Sequence, residues 1–469
     1  MKYMIMIALL MAGALNAATA KSDKLAQEAR QALRRAVAYF RTNVAVGGGY
    51  VYHTSADLKE RWGEGKAAPD QIWVQPPGTP TVGMAFLKAY AATSEQAYLD
   101  AAMDSAVALI NGQLESGGWT QSIYFSSGKH AGKYRNGNGG SRNTSSLDDN
   151  QTQSALLFLM RLDEATEFKQ AAIHEAVVYG LEALLKAQFP NGAFPQIWVK
   201  AVDAKPVLNA SYPAYDWRTE GRIKNYWDLY TLNDGLAGTV SEVLIEAHRV
   251  YKEERYKAAL LRLGDFLIRA QMPDPQPGWA QQYTYEMHPA WARKFEPAAV
   301  SGWESQDVIE TLLRIHAFSG DKRYLEPIPR ALAYLRQSLL PDGRLARFYE
   351  LKTNKPLYMD AQYKLTYDEK DAPSHYGWKL PARLEQLKQE FERAKEGSAP
   401  PAKKTAALET AVQRIVGELD AEGRWLSTYN GEGLIGQPKF ARGARYLSSE
   451  VFSVNVERIC EYLISEQKR

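Results

Sequence analysis

QTQSALLFLMRLDEATEFKQAAIHEAVVYGLEALLKAQFPNGAFPQ, residues 151–196, is the stretch that decides the fold. An apolar run at helical spacing is followed by a polar turn holding Phe168. A second amphipathic run reaches Gln188, and a Gly-containing turn and a short aromatic piece close the stretch. Apolar residues at i, i+3 and i+4 in both runs predict two helices joined by a tight turn. The same order recurs over residues 81–121, 236–282 and 304–348. Tyr98, Tyr256 and Tyr324 take the place of Phe168, and Gln113, Gln271 and Gln337 that of Gln188. These Gln residues are 75, 83 and 66 residues apart. A fifth, degenerate copy ends in IVGELDAEGRWLSTYN, residues 415–430. So long a period, with two helices in each unit, means stacked helical hairpins. An open solenoid keeps a stricter period and polar end caps. Loops of very different length at one end of each hairpin fit a closed ring better. The expected fold is mainly α: an (α/α) toroid or partial barrel of helical hairpins, with the long loops and short strands gathered on one face. It is read as one domain over residues 21–469, and a helical scaffold for protein binding is the alternative.

Composition narrows the class of partner. A net charge of +3 over 469 residues is nearly neutral, which predicts neither nucleic-acid nor membrane binding. Cys460 is the single cysteine, so an intramolecular disulfide and a cysteine-held metal are excluded. Residues 1–20 have one Lys, an apolar core and a small-residue end, the layout of a signal peptide cleaved after Ala20. The expected product is a secreted or periplasmic soluble protein, read as a monomer. Aromatic residues make up 11%, many of them in loops beside Gly, Asn and Gln. Such flat faces next to hydrogen-bonding groups suit sugar rings.

Long insertions precede three of the inner helices. One ends in SLDDN at Asp148 and Asp149, the next in TLND at Asp234, the third in SGWES. A single Asp before a helix is a cap, but a second adjacent carboxylate needs another reason. Hard oxygen donors with no His or Cys beside them point to Ca²⁺ or Mg²⁺ at Asp148, Asp149 and Asp234. Paired acids could also serve as the acid and base of an inverting glycosidase, or be caps and surface charge, but the calcium reading leads.

DDNQT (148–152), KAQFPNGAFPQ (186–196), TLND (231–234), WAQQYTYEMHPAWARKFEP (279–297) and RFYELKTNKPLY (from Arg347) occur in this order. Together they resemble the pectate lyases of polysaccharide lyase family 10. The resemblance implies calcium-assisted β-elimination in polygalacturonate or a related uronic acid polymer. Arg293 would take the C5 proton, Asp148 would hold calcium at the reacting sugar, and Asp149 and Asp234 would complete the metal set. It further implies substrate contacts from Thr152, Lys224, Trp279, Arg347, His375 and Tyr376, with Trp279 a stacking platform and Arg347 a carboxylate clamp. The other reading of Arg293 is an ion pair with Glu296 or Glu286. Asp149 stands where the family has Asn, Gln151 where it has a small residue, and SHYGW (374–378) lacks an expected Arg. An (α/α)-toroid hydrolase and a non-catalytic glycan-binding protein are the competing functions.

Overall fold

The computed structural model describes residues 23–374, 376–399 and 405–467. The signal-peptide reading of residues 1–20 lies outside them. Helices account for 46% of the chain, so the fold is mainly α, and helical hairpins build it. Among the described residues no helix is long and apolar enough to cross a membrane. The contacts divide the chain into two compact units, one of residues 1–113, 121–142 and 402–469, the other of residues 114–120 and 143–401.

In the first unit, α1 covers residues 23–39. The hairpin of α2 (Thr79–Thr93) and α3 (Gln96–Asn111) packs through α2 onto α12 (Ser449–Gln467), which also carries α11 (Thr405–Glu418). Cys460 is buried within α12, a core residue as its apolar setting predicts. A four-stranded antiparallel sheet joins Leu426–Thr428, Arg445–Ser448, His53–Ser55 and Arg61–Trp62 in that order.

The second unit holds three hairpins: α4 (Gln151–Ala165) with α5 (Ala171–Lys186), α6 (Leu236–Tyr251) with α7 (Glu254–Arg269), and α8 (Gly302–Ser319) with α9 (Ile328–Gln337). The first helix of each packs beside the first helix of the next, α4 on α6 and α6 on α8, and α10 (Leu384–Glu396) covers α8. The burial pattern explains the two layers. α7 buries one stripe, Tyr256, Ala259, Leu260, Leu263 and Leu267, as an amphipathic outer helix does. α4 is buried around most of its girth, from Gln151 and Thr152 to Leu162 and Asp163. The recurring Gln is a staple between repeats. Gln188 Nε2 donates to the carbonyls of Gly192 and of Ala259 in α7, and Gln271 Nε2 to those of Pro277 and Pro327. A buried amide satisfied on both sides fixes each turn against the following hairpin.

Candidate functional site

Each first helix of the second unit is entered from a two- or three-residue strand. Ser145–Ser146 pairs with Ile197–Trp198, Tyr230–Thr231 with Gln282–Tyr283, and Ala299–Ser301 with Phe348–Glu350. The next amide then donates across: Leu147 N to Gln196 O at 2.8 Å, Leu232 N to Gln281 O at 2.9 Å, and Gly302 N to Arg347 O at 3.0 Å. This common register makes Gln196, Gln281 and Arg347 equivalent positions. It makes Asp149, Asp234 and Glu304 equivalent as well.

The first two turns share a strained backbone. Asp149 and Asn150 have φ of 44° and 62°, and Asp234 and Gly235 have 53° and 67°. Two successive left-handed residues turn the chain into the helix, and Asp, Asn and Gly are the residues that tolerate this conformation. Neither α4 nor α6 has a side-chain cap. The carboxylates are therefore not caps, and strain of this kind collects at functional sites.

The turns bring ligand atoms of Asp148, Asp149 and Asp234 within 4.8 Å of one another. Asp148 Oδ1 accepts from Gln196 Nε2 at 2.7 Å, and the equivalent Asn233 Oδ1 accepts from Gln281 Nε2 at 2.7 Å. Asn233 Nδ2 donates to Asp234 Oδ2 at 2.5 Å. Burial, followed by repulsion from Asp149, Asp148 and Glu304, holds the Asp234 carboxyl well above the usual range, with Arg347 pulling it back. Three hard carboxylates crowded so closely that one resists ionisation fit a divalent cation of the calcium type.

Arg293 and Arg347 face this cluster. Arg293 Nη2 lies 2.5 Å from Glu296 Oε1, and its backbone amide donates to Glu296 Oε2 at 3.1 Å. Burial alone would lower the guanidinium, but the hydrogen bond and charge of Glu296 outweigh it and leave Arg293 raised, with Tyr376 and Asp234 adding to the effect. Glu296 is a hub. It also accepts from Gln281 Nε2 at 2.6 Å and from the Tyr376 hydroxyl at 3.2 Å. Its burial is outweighed by these partners, so it is held below the usual carboxylate range. The partly buried Arg347 stacks on the Tyr376 ring at 4.6 Å and reaches Glu304 Oε1 at 3.7 Å. Glu304 is fully buried, and burial raises its carboxyl against the pull of Arg347.

The structure thus draws together Asp148, Asp149, Asp234, Arg293, Arg347 and Tyr376, while Lys224 is exposed in a cleft that Arg293 also lines. Two expectations are corrected. Trp279 is 0% exposed and its indole donates to Leu267 O at 2.8 Å, so it is a core wedge and not a stacking platform. Thr152 is also 0% exposed. Its hydroxyl accepts from Trp119 N and donates to Trp119 O, so its proton is already committed and its burial keeps it from a substrate. His375 lies outside the described residues. Gln196, Gln281 and Glu304 were missed. Shifting the 148–198 segment by 85 residues onto 233–283 would have found the two glutamines.

Residues 113–342 match the family model described as pectic acid lyase. Among solved structures, a family 10 polysaccharide lyase from Cellvibrio cellulosa is similar at 19% identity and a TM-score of 0.47, over 65% of this chain and 94% of that one. A point mutant of a family 10 polysaccharide lyase from the same organism, in complex with trigalaturonic acid, is 18% identical with a TM-score of 0.46, over 68% and 97%. A cellobiose 2-epimerase from Spirochaeta thermophila is 14% identical with a TM-score of 0.47, over 95% and 98%. No curated protein matches the chain.

Proposed function

We propose that this chain, whose residues 113–342 match the family model described as pectic acid lyase, is a polysaccharide lyase that cleaves polygalacturonate by calcium-assisted β-elimination, with Arg293 as base, outside the cytoplasm. The observation that carries this reading is the meeting of three carboxylates, Asp148, Asp149 and Asp234, with Arg293, whose charge responds to Asp234. Two arginines beside an acidic cluster suit a substrate that brings its own carboxylate.

Asp148, Asp149 and Asp234 would hold the cation. When bound, it draws electron density from the uronate carboxylate and so acidifies the C5–H. Arg347 is partly buried and its guanidinium planar, with Tyr376 against its face, and it would clamp that carboxylate in one orientation. Arg293 takes the C5 proton. The C5–H electrons become the C4–C5 double bond, the C4–O bond breaks, and the glycosidic oxygen leaves with its pair and is protonated from water. Glu296 and the stacking of Arg293 on Phe295 at 5.0 Å orient the guanidine. They also keep it protonated in the free protein, so the neutral form is scarce and the rate should climb steadily with pH. The signal-peptide layout of residues 1–20 supports export, which suits a polymer too large to enter a cell.

The test is incubation with polygalacturonate in calcium and in chelator, following the ultraviolet absorbance of the unsaturated product. Product in calcium and little in chelator supports the reading. Asp148→Ala should then demand far more calcium for the same rate. Reducing ends formed without that absorbance would mean hydrolysis and overturn it.

A further inference from the structure

Arg347 Nε is buried with no hydrogen-bond partner among the described residues, and the nearest Glu304 oxygen is 3.7 Å from the guanidinium. The Tyr376 ring, at 4.6 Å, is therefore what sets its orientation. Tyr376 rides on residues 376–383, a strap that leads into α10. Only Lys379–Leu380 of the strap is strand, paired with Leu345–Ala346. A two-residue ladder holds little by itself, so the strap needs a firmer anchor.

Arg383 is that anchor. Its guanidinium spans two carboxylates of α8: Nη2 donates to Asp307 Oδ1 at 2.7 Å, and Nη1 to Glu310 Oε1. Its backbone amide donates to Gln306 Oε1 at 2.7 Å. Gln306 is 0% exposed, and its Nε2 donates to Gly302 O at 3.0 Å and to Pro381 O at 3.4 Å. Gly302 N in turn donates to Arg347 O, and Arg347 N to Trp378 O at 2.8 Å. The strap, the start of α8 and Arg347 thus close one ring of hydrogen bonds, and Arg383 ties its strap side to α8 one turn further on. Along the strap, Tyr376 and Trp378 pack edge to face at 5.1 Å, and both rings meet Phe348. A planar guanidinium bridges two carboxylates at fixed angles, which an ammonium does not.

Whatever fixes the place of Tyr376 also fixes the direction of Arg347. We propose that Arg383 is a positioning residue for the reaction: through the strap it sets the Tyr376 ring that orients Arg347 against the uronate carboxylate. The assignment rests on the lyase reading. It also divides the site in two. Arg347 depends on the strap, whereas the turns that carry Asp148, Asp149 and Asp234 are held by Gln196 and Gln281. Loss of the Arg383 fork should disturb the carboxylate clamp and leave the cation ligands in place.

The experiment compares wild type, Arg383→Lys and Arg383→Ala on polygalacturonate in mildly alkaline buffer, above the value of about 7 to which Asp307 is raised. Both variants should lose about 10- to 100-fold in kcat, Ala more than Lys, since a small misplacement of a binding group costs up to about 10²-fold. The calcium needed for half-maximal rate should stay at the wild-type level in Arg383→Lys, which keeps the charge and loses only the fork. Hydrogen exchange, read by mass spectrometry without substrate, should quicken at residues 345–347 and 376–383 and not in α4 or α6. Arg330→Ala, which removes an exposed pair with Asp274, is the control and should match wild type in all three readouts. Full kcat in Arg383→Ala overturns the assignment. So does a loss of kcat with the strap exchanging as in wild type, or faster exchange spread evenly over the second unit. Should the Ala variant fail to fold, the Lys variant decides by the same readouts. A wild type that forms no unsaturated product defeats the lyase reading and the assignment together, whereas an active wild type with equally active variants defeats the assignment alone.

Discussion

Replacing Asp234 by Asn should stabilise the calcium-free protein and remove most of its response to calcium. Asp234 has φ 53°, a conformation Asn adopts as readily as Asp, so the change removes charge and little else. The three carboxylates offer ligand atoms within 4.8 Å of one another. At that distance two unit charges repel by about 3.5 kcal/mol at an effective dielectric of ~20, and by about 0.9 kcal/mol in bulk water. Asp149 is exposed and the other two are half-buried, so solvent brings each pair to ~1–1.5 kcal/mol. Asp234 takes part in two such pairs and loses some attraction to Arg347 when neutralised. The net gain is about 2 kcal/mol, or about 4–8 °C in Tm by the scaling for domains of 150–250 residues. Calcium should reverse the order. A cation at one hundred times its Kd adds about 2.7 kcal/mol to wild type, and the variant has lost one of its three ligands. Thermal melts of both proteins in chelator and in calcium, in mildly alkaline buffer, measure all four values. An Asn variant that melts below wild type in chelator would refute the reasoning, because the carboxylate would then be holding the turn rather than straining it.

Arg293→Ala should lower kcat by about 10²–10⁴-fold, the usual worth of a general base, and Arg293→Lys should not restore it, since an ammonium lacks the planar fork that pairs with Glu296. Melting beside turnover separates this from a purely structural role, and a fully active Ala protein would remove the base assignment. Trp279→Ala should cost about 3–5 kcal/mol of stability, read from a denaturant melt, as expected for an emptied core position. Asp307→Asn should flatten the pH dependence of stability. Burial, then repulsion from Glu304, raises the Asp307 carboxyl to about 7 against the pull of Arg383. The native state therefore keeps a proton that the unfolded chain has released. That stabilisation is full below the ordinary carboxylate pKa and is lost as pH rises through about 7. The loss is roughly 2–4 kcal/mol in wild type, from about 1.4 kcal/mol per unit, and should be absent from the variant in melts across that window.

The hairpins are legible in the sequence because two helices of different burial alternate with a turn that carries a recurring Gln, an amide staple at Gln188 and Gln271. The acidic cluster is legible because adjacent carboxylates at a helix start are more than capping needs. What the sequence hides is depth. Trp279 sits beside Gln281 in a Gly-Trp-Ala-Gln turn, which reads like a sugar platform, yet its repeat equivalents Trp119 and Phe194 are buried too. The aromatic residue is the wedge that seats each turn, and the Gln two residues later is the one that reaches the rim. Thr152 is misread for a similar reason, because the first turn of α4 is already buried against the Trp119 backbone. Glu304 looks like an ordinary helix residue and gains its place only through strand register, which pairs residues far apart in sequence.

The equivalent positions also account for the doubled acid. In the second turn the pair is Asn233–Asp234, and Gln281 holds the Asn oxygen. In the first it is Asp148–Asp149, and Gln196 holds an oxygen of Asp148 in the same way. The first residue of each pair thus anchors the turn through an oxygen that either Asp or Asn supplies. The second is pushed forward by the left-handed backbone. Making the anchor an Asp adds a charge at no cost to the hydrogen bond, and that added charge turns two facing carboxylates into a three-carboxylate cluster. In the third turn Ser301 caps α8 conventionally and donates to the Glu304 carboxylate, while the position of Gln196 and Gln281 is taken by Arg347. One strand register, used three times, therefore carries two acidic entries on a left-handed turn and one cationic entry beside a conventionally capped helix. A cation ligand set and a carboxylate clamp arise side by side at equivalent register positions, through a change of residue type and, in the third entry, of the turn itself.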